Sequence, residues 1–225
     1  MLIYLCSMTL HENLFYATRE LGRLYESGRY LHNYALTYAL GLAAAPYFHA
    51  QQRPRYAEQL QPLNKRGVYV TPARGVNIAY ELNTFKYANN DYHVEMKQGT
   101  KNTPSYGRAK ELATGSVFRF GVLSDHDMLS LPTWIRMGLW RSKARLEWDV
   151  LEAKLVSDVS AVSSLPLNPL DIEPALSSFD LISMPPSSLV DHATLHTNWW
   201  TADHDDIGRI RLPAGMQYRF PDSAQ

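Results

Sequence analysis

The chain is predicted to combine strands and helix in a mixed fold of the α+β class, on three observations. Strand-length runs of alternating or wholly apolar residues recur along its length, one block has helical spacing, and polar connectors separate neighbouring runs. Its 225 residues are many for one domain and few for two. A single domain over 1–225 is therefore expected, with a basic insertion at about 51–112 and a Ser/Pro-rich crossing segment at about 157–188.

Leu2 to Leu10 is predicted to be a strand whose two faces are both largely apolar, which suits a central position in a sheet. Gly22 and Gly28 make Thr18 to Gly28 a loop or a short broken helix, and a helix is predicted from Arg29 to Ala44, capped by Ser27 and stopped by Pro46. Gln51 to Asn64 is polar, contains Pro54 and Pro62, and reads as a surface connection. Strands follow at Gly67 to Thr71, Val76 to Tyr87 and Tyr92 to Gln98, the last two joined through Asn89, Asn90 and Asp91. Lys97 to Lys110 has the composition of a mobile basic loop. Val117 to Leu123 and Arg145 to Val156 return to strand character, Ser157 to Ser188 reads as an irregular segment packed on the domain, and two short strands close the chain around Pro213, Ala214 and Gly215.

A hydrophobic content of 45% with 12% aromatic residues is enough for a sizeable core and excludes a disordered chain. Cys6 is the only cysteine, which rules out an intramolecular disulfide and a cysteine-based zinc cluster and fits a reducing compartment. The first ten residues lack a secretory pattern, and His32, Asn33, Pro46 and His49 interrupt the apolar stretch from Leu31 to Ala50, so a cytoplasmic protein without a membrane partner is expected. The net charge of zero conceals a segregation: Arg53 to Arg119 holds eleven bases against five acids, whereas Glu147 to Asp206 holds eleven acids against Lys154 alone. These segments either form a basic face for a polyanion and an acidic face for a basic protein, or are two solvated surfaces.

Two blocks combine cations with aromatic rings. Ala17 to Leu42 carries Arg19, Arg23, Arg29 and His32 among Tyr25, Tyr30, Tyr34 and Tyr38, a mixture suited to single-stranded nucleic acid because guanidinium groups neutralise phosphates and rings stack bases. Leu31, Tyr34, Ala35, Tyr38 and Leu42 also fit a buried helical stripe. Thr133 to Trp148 places Gly138 between Arg136 and Arg141, close to Lys143 and Arg145; the glycine either admits a ligand or makes a turn with Trp134, Trp140 and Trp148 in the core.

Enzymatic readings are weaker. Asp125, His126 and Asp127, and later Asp203 to Asp206, supply metal-ligand residue types without the usual helical spacing. A metal-independent endoribonuclease would use His32 as general base with Lys143 or Arg141 on the phosphate. The glycines match neither a phosphate-binding loop nor a dinucleotide fingerprint, so no cofactor is expected, and SVFRFGVLS does not complete an RNA-recognition signature.

The run LHENLFYATRELGRLYESGRYLHNYALTYALGL resembles the Cas5-like (Csc1-type) subunit of type I-D CRISPR effector complexes, a branch of the RAMP superfamily, as do PTWIRMGLWRSKARLEW, NPLD at Asn168 to Asp171, MPP at Met184 to Pro186 and the terminal IRLPAG. The likeness extends over nearly the whole chain. It implies a ferredoxin-like antiparallel sheet with two helices and inserted β-hairpin or loop extensions. It also implies a noncatalytic role in antiviral defence: capping the Cascade particle by gripping the 5′ handle of the CRISPR RNA, beside the large subunit and the first backbone subunit, while a separate subunit cuts the precursor. On this resemblance Arg19 and Arg23 are assigned to handle phosphates, and Tyr30, His32 and Asn33 to reading or stacking bases. Arg136, Arg141, Lys143 and Arg145 are assigned to RNA with Trp140 as a stacking surface, and Arg108 and Lys110 to RNA or to target DNA near the protospacer-adjacent motif.

Overall fold

In chain order, the protein comprises β1 (Leu2–Leu10), β2 (Arg19–Leu21), β3 (Leu24–Glu26), β4 (Tyr30–Leu31), α1 (Asn33–Ala39), α2 (Tyr56–Leu60), α3 (Pro62–Lys65), β5 (Val68–Val70), β6 (Ala73–Asn77), β7 (Tyr80–Lys86), β8 (Tyr106–Leu112), β9 (Val117–Ser124), β10 (Trp134–Met137), β11 (Ser142–Glu152), β12 (Lys154–Val162), β13 (Leu176–Ile182), β14 (Leu189–His204) and β15 (Gly208–Pro213). The structure, a computed structural model, describes residues 1–43, 45, 54–86, 106–125 and 129–220.

β1 lies between β9 and β11, antiparallel to both, at the centre of a seven-stranded sheet ordered β10-β11-β1-β9-β6-β4, with β5 paired to β9. Its alternation feeds two cores. Tyr4, Cys6, Met8 and Leu10 pack with Phe118, Phe120, Ile135, Met137, the α1 residue Leu36 and Leu40 at the helix end. Ile3 and Leu5 pack on the other side with Leu195, Trp199, Leu212 and Tyr218. Those partners belong to a second antiparallel sheet, ordered β12-β14-β13 with β15 on β14, and to the C-terminal segment. A third sheet, β2-β3-β8-β7, takes up part of the insertion. The central placement expected for the first strand is observed.

Several local readings are corrected. The helix covers Asn33–Ala39 only, because Tyr30 and Leu31 pair with Arg74 and Ala73 in β6 and His32 then caps it, its Nδ1 accepting the Tyr34 N–H at 3.2 Å. Ser27 is no cap; its hydroxyl accepts the Tyr16 N–H at 3.0 Å. Gly41, at φ +71°, ends the helix, and Pro46 lies outside the described residues. Thr18 to Gly28 contains the β2–β3 hairpin, turned at Gly22 with φ +62°. In the described part of Gln51 to Asn64, two helices replace the expected connection: Pro62 fits the first turn of α3, where no N–H is needed, and Leu60 and Leu63 are buried. Arg108 and Lys110 lie on β8 rather than a loop, opposite Thr84 and Leu82 of β7. The residues of the expected strand 92–98, of the Asn89 to Asp91 connector and of the loop's remainder, 97–105, are outside the described residues. Within Ser157 to Ser188, residues 157–162 and 176–182 are strand, because β14 pairs with β12 on one edge and β13 on the other; the residues between them are irregular apart from a short turn of helix at Pro169–Asp171. After β15 the closing segment is irregular.

A buried polar knot joins the layers. The fully buried Asp171 carboxylate accepts from Asn33 Nδ2 at 2.9 Å, Tyr69 OH at 2.8 Å and the Arg219 N–H at 3.1 Å. Tyr218 OH accepts the Val70 N–H at 3.1 Å and meets Thr37 Oγ1 at 2.6 Å. These bonds hold α1, β5, the turn at Asp171 and the C-terminal segment in one arrangement, and each satisfies a polar group that burial would otherwise penalise.

Desolvation raises the Asp171 carboxyl to about 6, against the lowering effect of its three donors. This value lies above that of an unfolded aspartate, so the contribution is fully present below pH ~4 and is lost as pH rises through about 6, a difference of ~3 kcal/mol. Urea unfolding of the wild type should show this component between pH 4 and 7, and Asp171→Asn should remove it. Gly138 sits at φ +78°, and an added Cβ would lie 2.5 Å from Leu14 Cδ1 and 2.9 Å from the Phe15 carbonyl oxygen. Gly138→Ala should therefore destabilise the protein by about 2–4 kcal/mol, measurable as a lowered unfolding midpoint.

Candidate nucleic-acid interface

The second cation block folds as the β10–β11 hairpin. Ile135, Met137, Ala144 and Leu146 turn into the core, which leaves Trp134, Arg136, Lys143 and Arg145 on the opposite face of the sheet. The register sets Trp134 against Arg145 and Arg136 against Lys143, so these four form one compact group. The Lys143 ammonium lies 4.3 Å from the Trp134 ring centroid, and His11 meets the same ring edge-on at 4.9 Å. Arg136 donates to the Arg141 carbonyl at 3.0 Å and lies 3.7 Å from Glu12, while Arg145 pairs with Glu147 at 3.1 Å. Each of these ion pairs is exposed on both sides and contributes at most ~1 kcal/mol, so an incoming phosphate exchanges with it at little cost.

Trp134 and Trp140 are 42% and 52% exposed. They are not in the core. Trp140 stacks on Phe15 at 5.0 Å and 26°, and Trp148 is half-buried against Phe120, its indole N–H donating to the Pro132 carbonyl. The space beside Gly138 is filled by Leu14 and Phe15, so the glycine serves a close chain crossing, with no room there for a ligand. Arg141 completes the turn at φ +54°.

The first block divides. Arg19 is exposed on β2, and Arg23 lies in the β2–β3 turn, where its carbonyl accepts the Arg108 N–H at 2.8 Å. Arg108 is exposed, whereas Lys110 pairs with Glu26 at 3.2 Å and lies 4.4 Å from the Tyr80 ring centroid. Tyr30 donates to Asp191 at 2.9 Å, and burial pushes its phenol up to about 12. His32 and Asn33 turn inward, which corrects their placement among base-reading residues. Asn33 is fully buried with its amide engaged by Asp171 and Tyr69. His32 is 4% exposed; its Nδ1 accepts from Tyr34, so Nε2 carries the proton and donates to Ser187 Oγ at 2.9 Å. Burial lowers its pKa to about 4, which keeps the ring neutral at physiological pH.

Both blocks border one apolar cavity of about 620 Å³, lined by Tyr16, Tyr30, His32 and Tyr34 from one side and Leu139 and Pro186 from another. The Gly138 N–H donates to Tyr16 OH at 3.1 Å and the Leu139 N–H to the Phe15 carbonyl at 3.1 Å. The structure thus joins the blocks through apolar and aromatic groups and leaves their cations on two different sheets.

Arg74 and Arg119 were absent from the sequence-based site and lie on the same sheet face as the β10–β11 cations. The available signal was the alternation in VFRFGVLS, which turns Phe118 and Phe120 inward and Arg119 outward.

The acidic stretch is not a bare negative surface. Asp149, Asp158 and Asp180 pair with His204, His196 and His192, Asp203 pairs with Arg209, and Asp171 and Asp191 are buried. The second histidine–aspartate cluster is accounted for by these contacts, and His126 and Asp127 of the first lie outside the described residues. Among the described residues no three His, Cys, Asp or Glu side chains converge in a metal-holding group, and no helix is long and apolar enough to cross a membrane.

No curated protein matches the chain. Among solved structures, a chain from the cryo-electron microscopy structure of the type III-B Cmr-β complex bound to cognate target RNA and AMPPnP is similar, with a TM-score of 0.47 and 10% identity over 85% of this chain and 86% of that one. The family model described as type I-D CRISPR-associated protein Cas5/Csc1 matches residues 1–221. The chain belongs to the type I-D CRISPR-associated Cas5/Csc1 family.

Proposed function

We propose that this protein is a noncatalytic RNA-binding subunit of a type I-D Cascade complex, which holds the 5′ handle of the CRISPR RNA at one end of the particle. Membership of the Cas5/Csc1 family supports the setting, and one observation carries the chemistry: Arg136, Lys143, Arg145 and Trp134 stand together on one exposed face of the central sheet. Such a group binds single-stranded RNA by neutralising phosphates and stacking a base, with little dependence on sequence. Trp140 and Arg141 at the hairpin turn extend it, and Arg19, Arg23 and Arg108 on the third sheet form a second contact with the handle or with target DNA near the protospacer-adjacent motif. The order β11-β1-β9-β6, together with α1, is read as the ferredoxin-like core, with β2, β3, β7 and β8 as its extension toward the large subunit and first backbone subunit.

Endoribonuclease activity is the weaker reading. Its proposed base, His32, has one ring nitrogen accepting from the backbone and the other donating to Ser187, and its low pKa disfavours proton uptake. The subunit therefore acts in antiviral defence by holding RNA, and cleavage of the precursor falls to another protein.

The test is retention of a labelled repeat-derived RNA by the full chain, alone and with its Cascade partners. Arg141→Glu with Lys143→Glu, and separately Arg19→Glu with Arg23→Glu, should weaken binding at least tenfold and reduce the slope of log affinity against log salt by about 2, with the unfolding midpoint unchanged. Retention unaltered in both double variants would refute these assignments. RNA shortened in chelator, with the cleavage lost in His32→Ala, would replace the binding function by the ribonuclease.

A further inference from the structure

Arg119 on β9 stands directly opposite Arg74 on β6. On its other side it faces Ser7 of β1, which is itself opposite Glu147 of β11. Like charges facing each other across an antiparallel ladder repel, so the pair lowers the stability of the free chain unless each cation is countered. Arg74 is countered: it donates to both Asp191 carboxylate oxygens at 3.0 and 3.2 Å and to the Ser164 carbonyl at 3.2 Å. Arg119 is half-buried, and among the described residues no carboxylate or hydrogen-bond acceptor is paired with its guanidinium. Burial and the neighbouring Arg74 both push its pKa downward, the mark of a cation in surroundings that disfavour its charge.

Position makes the group accessible to a ligand. One step further along the same face, an added Cβ at Gly121 would lie 3.2 Å from Leu165 Cδ1, so the covering layer begins there and Arg119 stands at its rim. In the other direction the face continues through Ser7 and Thr9 to Arg145, two strands and on the order of 10 Å away, and then to Lys143 and Arg136. A polyanion laid across the strands from β10 to β6 meets a cation on β10, β11 and β9 in succession.

We propose that Arg119 is a phosphate-binding residue at the rim of the two layers, and that its occupant is a phosphodiester of single-stranded RNA crossing the β11-β1-β9 face. The identity of the occupant rests on the RNA-binding function proposed above; the phosphate site rests on the Arg74–Arg119 geometry alone. A phosphate oxygen pair would accept from the planar guanidinium fork and offset the repulsion from Arg74.

Arg119→Gln and Arg119→Lys in the full chain test this by two readouts. Without phosphate, Arg119→Gln should melt at or above the wild-type temperature, because a repulsive pair is lost. Inorganic phosphate should raise the melting temperature of the wild type, only partly that of Arg119→Lys, and not that of Arg119→Gln. For a labelled single-stranded RNA, Arg119→Gln should bind roughly tenfold more weakly with a salt slope reduced by about 1, and Arg119→Lys should retain part of the affinity. If wild type binds RNA and Arg119→Gln binds it equally, the inference is overturned and the RNA-binding function stands. If wild type binds no RNA while its phosphate response still depends on Arg119, the phosphate site stands and the RNA function falls. Absence of both responses overturns the two together.

Discussion

Burial of β1 on both faces is the constraint from which the rest of the molecule follows. A strand with Tyr4, Cys6, Met8 and Leu10 on one side and Ile3 and Leu5 on the other needs cover above and below, and needs partners along both edges. β9 and β11 supply the edges. α1 with Leu40 and Leu14 supplies one cover, and the second sheet with the C-terminal segment supplies the other. The upper half of β1 changes character at Ser7 and Thr9, where the second sheet no longer covers it. The sheet is therefore dry at one end and polar at the other, and the cations gather at the polar end.

The Asp171 knot performs the equivalent task for the periphery. Asn33, Tyr69 and Asp171 come from distant points of the chain and bond to one another, the Arg219 N–H bonds Asp171, and Tyr218 bonds Thr37 and the Val70 N–H; these bonds hold α1 and the C-terminal segment in one orientation. Such a network is costly to leave half-satisfied, which makes it specific. It also explains why two residues with the chemistry of RNA contacts, His32 and Asn33, are withdrawn from the surface: one caps the helix and the other anchors it.

Charge is distributed in the same way. Acids of the second sheet are engaged within that sheet, Asp158 by His196, Asp180 by His192 and Asp203 by Arg209, while the cations of β10 and β11 are held by exposed and weak pairs. A neutral chain can thus keep one face available to a polyanion without a large net field.

The opening strand, the strand at Val117–Ser124 and the Arg145 region were legible because short apolar runs or alternation of strand length need no partner to be recognised. The alternation also contained the placement of Arg119, once the inward direction of Phe118 and Phe120 is taken as fixed. What the tertiary structure alone decided is which edges pair and which polar groups are enclosed. Tyr30 and Leu31 became strand because β6 lies beside them, residues 157–162 and 176–182 of the crossing segment became strand because β14 offers two edges, and Gly138 became a crossing point because Leu14 and Phe15 occupy its open side. Local sequence determines how a segment can present its faces; backbone hydrogen bonding and exclusion of water between segments far apart in the chain determine which presentation is used.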